Sequence, residues 1–426
     1  MALSATHAAV DEGLAVFRQS VEDAGTRIYE GEAYWWNGDS VRDPAALNRV
    51  AQRIAPGAYE KGHPFVFCSG NDTKLLPGRY QVAFRLKITA KPEPAVPVCR
   101  ILAYNHGEPK WLFSTDRLLT TADFAQANAY EEFVLPLERY DISFAAFAVN
   151  WEKRVELFVD RVTVHREQGF TDAGMVAKLE LSAAPTPLRV ETTGPLRFLV
   201  LAGPYHRRVR VAEALARLPG ATADTCYAVK DYIYGHSLAP PLPDPAGLSA
   251  YHAVLLLDVS AAPLHVDGRL ALRQYAEGGG GVLVAGGPFA FGMGFYGGTF
   301  LADMLPVTDD GPWGLAPPGW RDRAKVLSGP LAAGLFSEGR TIVGWHHRFA
   351  ARDGATVVMT AGGQPLVVTG PYRRGRVVAI GATPLGEPEG GTPLLESPDW
   401  PVFLARLLEW LAGRASAAPA AEGNDP

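Results

Sequence analysis

In the first third of the chain, apolar and polar residues alternate in short runs. In Tyr80-Gln81-Val82-Ala83-Phe84-Arg85-Leu86-Lys87-Ile88 an apolar side chain recurs at every second position, just after the turn Leu76-Pro77-Gly78-Arg79. That period buries one face of an extended strand. Comparable runs predict strands over 98–104, 130–137, 143–151 and 155–164. Short strands separated by turn residues predict an all-β sandwich, jelly-roll-like, over 26–168. Ahead of it, the spacing of Val10, Leu14, Val16, Phe17 and Val21 predicts a short amphipathic helix within residues 1–25.

The texture then changes. Ala184-Pro185-Thr186-Pro187 marks a linker over 169–194. Beyond it, continuous apolar runs alternate with helical patterns. Phe198-Leu199-Val200-Leu201 precedes a helical stretch from Arg208 to Leu218, and Val254-Leu255-Leu256-Leu257 precedes a helix ending at Glu277. After Gly278-Gly279-Gly280-Gly281 comes Val282-Leu283-Val284-Ala285, with further strands at 366–368 and 377–380 and a closing helix over 400–412. This alternation predicts a flavodoxin- or Rossmann-like doubly wound parallel sheet, covered on both faces, over 195–413. Residues 414–426 read as a disordered tail.

Composition narrows the functional classes. Apolar residues are 47% and charged residues 20%, ample for a core in each unit. The net charge is −5 with no block of Lys or Arg, which argues against a nucleic-acid partner. Cys68, Cys99 and Cys226 are far apart, so neither a disulfide framework nor a zinc ribbon is expected, and a reducing, cytoplasmic setting follows. The N-terminal stretch is charged and amphipathic rather than a signal peptide, and no run of 18 apolar residues predicts a membrane span.

Gly278-Gly279-Gly280-Gly281-Val282-Leu283-Val284-Ala285-Gly286-Gly287-Pro288-Phe289, continuing to Gly298-Thr299 and Leu305-Pro306-Val307, resembles the class I glutamine amidotransferase-like superfamily. The likeness is to its putative glutamine amidotransferase branch and covers about half the chain. It implies a cysteine at the strand-to-helix elbow, activated at a helix N-terminus and facing backbone N–H donors. The matching elbow, Gly286-Gly287-Pro288-Phe289, holds no Cys, Ser or Thr. The His-x-Glu pair expected after a late strand has its counterpart in 381–389, which offers Glu387 and Glu389 but no histidine. Two of three triad members are missing, so glutaminase activity is not expected. Cys226, on the second strand, reads as a small buried hydrophobe rather than a substitute nucleophile.

His346-His347 is the densest remaining acid–base cluster of this half. Either ring could move protons with Glu387 or Glu389, or both could simply edge a polar strand. Adjacent strand residues face opposite sides, so the two rings do not share one ion. Gly287, Pro288 and Phe289 line the turn where ligands of such sheets sit. Tyr205-His206-Arg207-Arg208 after the first strand could face an anion, or be a solvated first turn. The aromatic loops 231–236 and 311–320 could stack on sugars, hold a partner or fold down as a lid.

The β-rich half resembles carbohydrate-binding-module-like sandwiches at Glu30-Gly31-Glu32-Ala33-Tyr34-Trp35-Trp36, at 77–85 and at Leu157-Phe158-Val159-Asp160-Arg161-Val162. That resemblance implies a structural calcium at Glu30, Glu32 and Asp160, where oxygen ligands suit a hard cation; surface carboxylates on strand edges are the alternative. Trp36, Tyr104 and Trp111, with Asn37 nearby, could form a sugar-stacking platform. No other cofactor is expected, since the glycines at 286–287 lack the spacing of a dinucleotide site. The leading expectation is a degenerate, non-catalytic amidotransferase-like protein binding a carbohydrate or a protein partner. The alternatives are a hydrolase using His346 or His347 with Glu387 or Glu389, and a homo-oligomerisation scaffold.

Overall fold

The computed structural model describes residues 26–414, apart from 32, 34–36, 58–64, 70–72, 105–113, 182–188, 191–192, 229–241, 243–244, 312–313, 317–322, 328, 337–339 and 387–389. The N-terminal helix and C-terminal tail expected from the sequence, and the aromatic residues at 231–236, 313 and 320, lie outside the described residues. The chain divides into two compact units, the first ending at Phe170 and the second starting at Thr171.

Unit 1 is built of antiparallel strands: β1 (Thr26–Glu30), β2 (Asp39–Arg42), β3 (Val50–Ile54), β4 (Phe65–Cys68), β5 (Thr73–Leu75), β6 (Gly78–Ile88), β7 (Pro97–Tyr104), β8 (Ser114–Thr120), β9 (Glu131–Arg139), β10 (Ser143–Trp151) and β11 (Leu157–Gly169). One sheet runs β2-β3-β11-β6-β9, with β1 also paired to β11; the other runs β4-β10-β7-β8, with β5 on β10. Their inward faces share one apolar core, in which Val82, Phe84 and Leu86 of β6 meet Ile101 of β7 and Phe147 of β10. Alternate residues of β6 are buried throughout, as its two-residue period requires.

Unit 2 carries β12 (Arg197–Ala202), β13 (Thr222–Tyr227), β14 (Ala253–Leu257), β15 (Gly281–Ala285), β16 (Ala324–Val326), β17 (Thr356–Ala361), β18 (Gln364–Tyr372) and β19 (Gly375–Ile380). They form one eight-stranded sheet in the order β13-β12-β14-β15-β19-β18-β17-β16. Every residue of β14 and β15 is buried, the signature of strands covered on both faces. The first five strands of that order are parallel, but β18, β17 and β16 add on antiparallel. The all-parallel expectation is corrected for a local reason. β17 and β18 meet in a two-residue turn at Gly362-Gly363, both with positive φ, and β18 and β19 turn at Arg373-Arg374. Two residues can close a hairpin but cannot make the crossover that a parallel neighbour needs.

The helices are α1 (Asp172–Lys178), α2 (Val211–Leu215), α3 (Pro245–Leu248), α4 (His265–Glu277), α5 (Phe300–Met304) and α6 (Asp399–Leu411). In α6, Trp400, Phe403, Leu404, Leu407, Leu408 and Leu411 are buried, the three- and four-residue spacing of one helical face. The helical pattern read over 208–218 is shorter in fact, because a 3-10 turn at His206–Val209 precedes α2. Part of the stretch read as a linker is structured: α1 begins at Asp172, with Thr171 as its N-cap.

That helix is tied in by a buried ion pair. Both carboxylate oxygens of Asp172 accept from Arg269 of α4, at 2.6 and 2.7 Å, and Asp172 also accepts from the Phe300 amide at 2.9 Å. Neither side chain is more than 1% exposed. Removing one partner leaves the other charge buried and unmatched. Asp172→Ala should therefore destabilise unit 2 by about 3–5 kcal/mol, read as a lower urea midpoint; an unchanged midpoint would mean the pair is solvated and dispensable.

Candidate functional site

The carboxyl edge of the parallel strands is where ligands of such sheets sit, and here it is built around Asp258. β14 ends at Leu257, and Asp258 follows with φ 56°, a left-handed conformation that Asp tolerates better than most residues. Its side chain is 1% exposed. One oxygen accepts from the Phe289 amide at 2.8 Å and the other from the Tyr205 amide at 3.2 Å, so a single carboxylate bridges the turns after β15 and β12. The backbones close in as well: Gly203 donates to Leu257 O, Asp258 to Ala285 O and Gly286 to Ile380 O, at 2.7 to 3.0 Å. A Cβ on Gly287 would lie 2.2 Å from Asp258 Oδ1, and one on Gly203 would lie 1.8 Å from Asp258 O. Only glycine fits at either point. Burial raises the Asp258 carboxyl to about 6, against which the two amide donors pull it down.

The elbow 286–289 is held from the other side by His347. This ring is 1% exposed, and its Nε2–H donates to the Gly287 carbonyl at 2.9 Å. Phe291 meets it edge-on at 4.8 Å between centroids, and Phe349 lies parallel to it at 6.2 Å. Burial lowers its pKa to about 4 despite the carbonyl bond, with His346 adding a smaller push in the same direction. His347 is thus a neutral core histidine, which corrects the reading of it as an acid–base group. His346 is also buried, with Nδ1 3.4 Å from the Gly344 carbonyl, and borders a separate cavity of about 410 Å³ with Arg348, Asp310 and Gln364. The two residues form a two-residue strand paired with Leu315–Ala316, an interior ribbon rather than an exposed polar edge. Glu387 and Glu389 lie outside the described residues.

Of the turn residues expected to meet a ligand, Gly287 is buried and Pro288 and Phe289 are half-buried. The Phe289 amide, the donor that an oxyanion would need, is committed to Asp258. Cys226 is half-exposed on the edge strand β13, not buried as expected, and partial burial with Asp224 nearby raises its thiol above the ordinary range. A thiol shifted that way is a poorer nucleophile at neutral pH.

In unit 1 the calcium expectation loses its central member. Asp160 is 1% exposed and paired with Arg85 and Arg161, and it accepts from the Leu47 amide at 2.7 Å. Two guanidiniums occupy the charge that a dication would neutralise. Glu30 accepts from Asn48 at 2.5 Å, and Glu32 lies outside the described residues, as do Trp36 and Trp111. No cluster of three metal-ligating side chains occurs among the described residues. Asn37 is buried and donates to the Phe65 carbonyl at 2.7 Å, so its amide serves the fold rather than a sugar hydroxyl. Tyr104 is half-buried, with its hydroxyl 3.6 Å from Cys68 Sγ.

The second cavity of this edge was only partly foreshadowed. It measures about 430 Å³ and is bordered by Arg207, Arg208 and Arg210 on one side and by Thr383 to Gly386 on the other. The sequence signal was Tyr205-His206-Arg207-Arg208. His206 itself turns inward, its Nδ1–H donating to the Gly203 carbonyl at 2.7 Å.

Fold and site together define an α/β domain on a mixed sheet, whose elbow is glycine-built and carries no nucleophile. Residues 207–411, just under half the chain, match the family model described as "Putative glutamine amidotransferase". Among solved structures, a cytoplasmic protein from Salmonella typhimurium is 19% identical, covering 51% of this chain and 99% of its own, with a TM-score of 0.42. A ThuA-like protein from Parabacteroides merdae is 17% identical over 52% of this chain and 92% of its own, with a TM-score of 0.36. A xylan-binding domain from Paenibacillus barcinonensis is 6% identical over 33% of this chain and 92% of its own, with a TM-score of 0.25. No curated protein matches the chain. Among the described residues no helix is long and apolar enough to cross a membrane.

The two buried titrating groups of the elbow act in opposite directions. His347 favours the folded chain fully above about 6.5, and that contribution is lost as pH falls toward about 4. Protonated Asp258 favours it below 3.8, and that contribution is lost as pH rises through about 6. His347→Phe removes a hydrogen bond and should cost about 1–3 kcal/mol at pH 7. It also removes the proton-linked penalty, so its deficit against the parent chain should shrink toward pH 4 in urea titrations. A deficit independent of pH would show that His347 titrates normally.

Proposed function

We propose that unit 2 is a binding domain on a glutamine amidotransferase-like scaffold and does not hydrolyse glutamine. One observation carries this reading: the elbow that would present a nucleophile is Gly286-Gly287-Pro288-Phe289, with its Phe289 amide bonded to Asp258 and its Gly287 carbonyl to His347. Amide hydrolysis on this scaffold needs a nucleophile within reach of a base, and a free backbone donor for the oxyanion. The elbow supplies no nucleophile, and the Phe289 amide is taken. Of the two basic groups at the elbow, the Asp258 carboxylate is committed to the Phe289 and Tyr205 amides, and His347 is buried between aromatic rings with Nε2 engaged. A nucleophile at position 287 would have its Cβ where the Asp258 carboxylate lies. The sheet edge retains a cavity of small-molecule size, about 430 Å³, beside this closed elbow.

Ammonia release from glutamine tests the reading directly. The full chain should release none above the protein-free blank, Cys226→Ser should change nothing, and Gly287→Cys should give a destabilised protein that is still inactive. Ammonia release by the parent chain that disappears in Cys226→Ser would overturn it.

A further inference from the structure

The cavity beside the elbow has a charge pattern that the fold itself does not use. Arg207 and Arg208 stand on the 3-10 turn that follows β12, both exposed. Among the described residues the Arg207 guanidinium has no hydrogen bond or ion pair. Arg208 has one distant counter-charge, Glu396 at 3.9 Å, and the two side chains are 69% and 64% exposed. At that separation and exposure the pair contributes little, and an anion could displace it.

Arg210 behaves differently. Its guanidinium grips Glu213 at 2.5 and 2.7 Å and donates to the Leu395 and Ser397 carbonyls at 3.1 and 3.0 Å. It fixes one wall against the turn that carries the other two arginines. The opposite wall is fixed as well: Thr383 donates to the Trp345 carbonyl at 2.6 Å and accepts from the Leu385 amide at 3.2 Å. Val343, Ala382 and Leu394 supply buried apolar surface between the walls. The cleft therefore pairs hydrogen-bonded walls and an apolar lining with one guanidinium that has no partner among the described residues, Arg207, and one only weakly paired, Arg208.

We propose that this cleft binds a small organic oxyanion, a carboxylate or a phosphate ester with a compact apolar body, with Arg207 and Arg208 as its binding residues. Planar guanidiniums match both oxyanions through paired N–H donors, and the apolar lining selects against inorganic ions. This rests on the reading of unit 2 as a binding domain, whose own failure would appear separately as ammonia release.

The test uses the full chain and three probes of one body: benzoate, phenyl phosphate and uncharged benzyl alcohol, followed by calorimetry or ligand-detected NMR. At least one of the two anions should bind saturably below roughly 10 mM, and which one does so distinguishes carboxylate from phosphate recognition. Benzyl alcohol should not bind. Arg207→Ala combined with Arg208→Ala should weaken the bound anion by about tenfold or more while leaving the ligand-free melting temperature unchanged. Glu396→Gln, which removes the competing carboxylate, should tighten it. No saturable binding of either anion, equal binding of benzyl alcohol, or undiminished binding in the double variant would each overturn the proposal.

Discussion

The carboxylate of Asp258 fixes the geometry of the working edge of unit 2. Parallel strands end with amide and carbonyl groups that have no next residue in the ladder, and buried groups of that kind must find partners. Asp258 supplies acceptors for two of them, in the turns after β12 and β15, from one position at the end of β14. Its shape then dictates the neighbouring sequence. The 2.2 Å approach to a would-be Cβ at position 287 explains the glycine there, while Gly286 is crowded instead by the Ala382 carbonyl at 2.8 Å. His347 completes the arrangement by donating to the carbonyl of the same Gly287. An elbow tied at both its donor and its acceptor is a rigid corner of the scaffold.

That rigidity is maintained against an electrostatic cost. A carboxylate buried with only amide dipoles for company titrates near 6, and an imidazole between two phenyl rings near 4. Neither has an opposite charge to stabilise its ionised form, unlike Asp172, whose charge is matched by Arg269 within the same unit. The contrast separates two uses of a buried carboxylate. Asp172 joins α1 to α4 through a neutralised pair, whereas Asp258 holds backbone turns through hydrogen bonds alone. The raised pKa of Asp258 follows from burial with no cation beside it to offset the cost. Perturbed acidity marks functional sites only when the group can also reach a substrate.

The alternation in β6, the unbroken apolar runs of β14 and β15, and the helical stripe of α6 were all legible, because burial on one face or on both leaves a period in the sequence. The direction of β18 was misread because Leu366-Val367-Val368 looks the same in either direction, and β17 was not read as a strand at all. The distinguishing signal was the brevity of the turns at 362–363 and 373–374. Asp258 was missed because it is one acidic residue after an apolar strand, with partners 31 and 53 residues away. His346-His347 was over-read for the opposite reason. Two adjacent imidazoles suggest chemistry, yet no sequence period reveals that Phe291 and Phe349 enclose one of them. In unit 1 Asp160 was a ligand by analogy, while Arg85 and Arg161, placed 75 residues and one residue from it, already neutralise it.

The same constraints explain why any ligand of this edge must sit off-centre. The space directly beyond β14 and β15 is filled by Asp258, the elbow and Phe291, which is fully buried. What remains open lies beyond β12 and β19, the strands on either side of that pair in the sheet order. The turns leaving those two strands are held by contacts that do not involve Asp258 carboxylate bridging alone: Arg210 binds the 395–397 carbonyls, and Thr383 binds Trp345. Each fixes backbone while leaving Arg207 and Arg208 unsupported. Arg208 faces only the distant carboxylate of Glu396 and Arg207 has no partner among the described residues, so the positive charge beside this apolar hollow is only weakly offset by the chain itself.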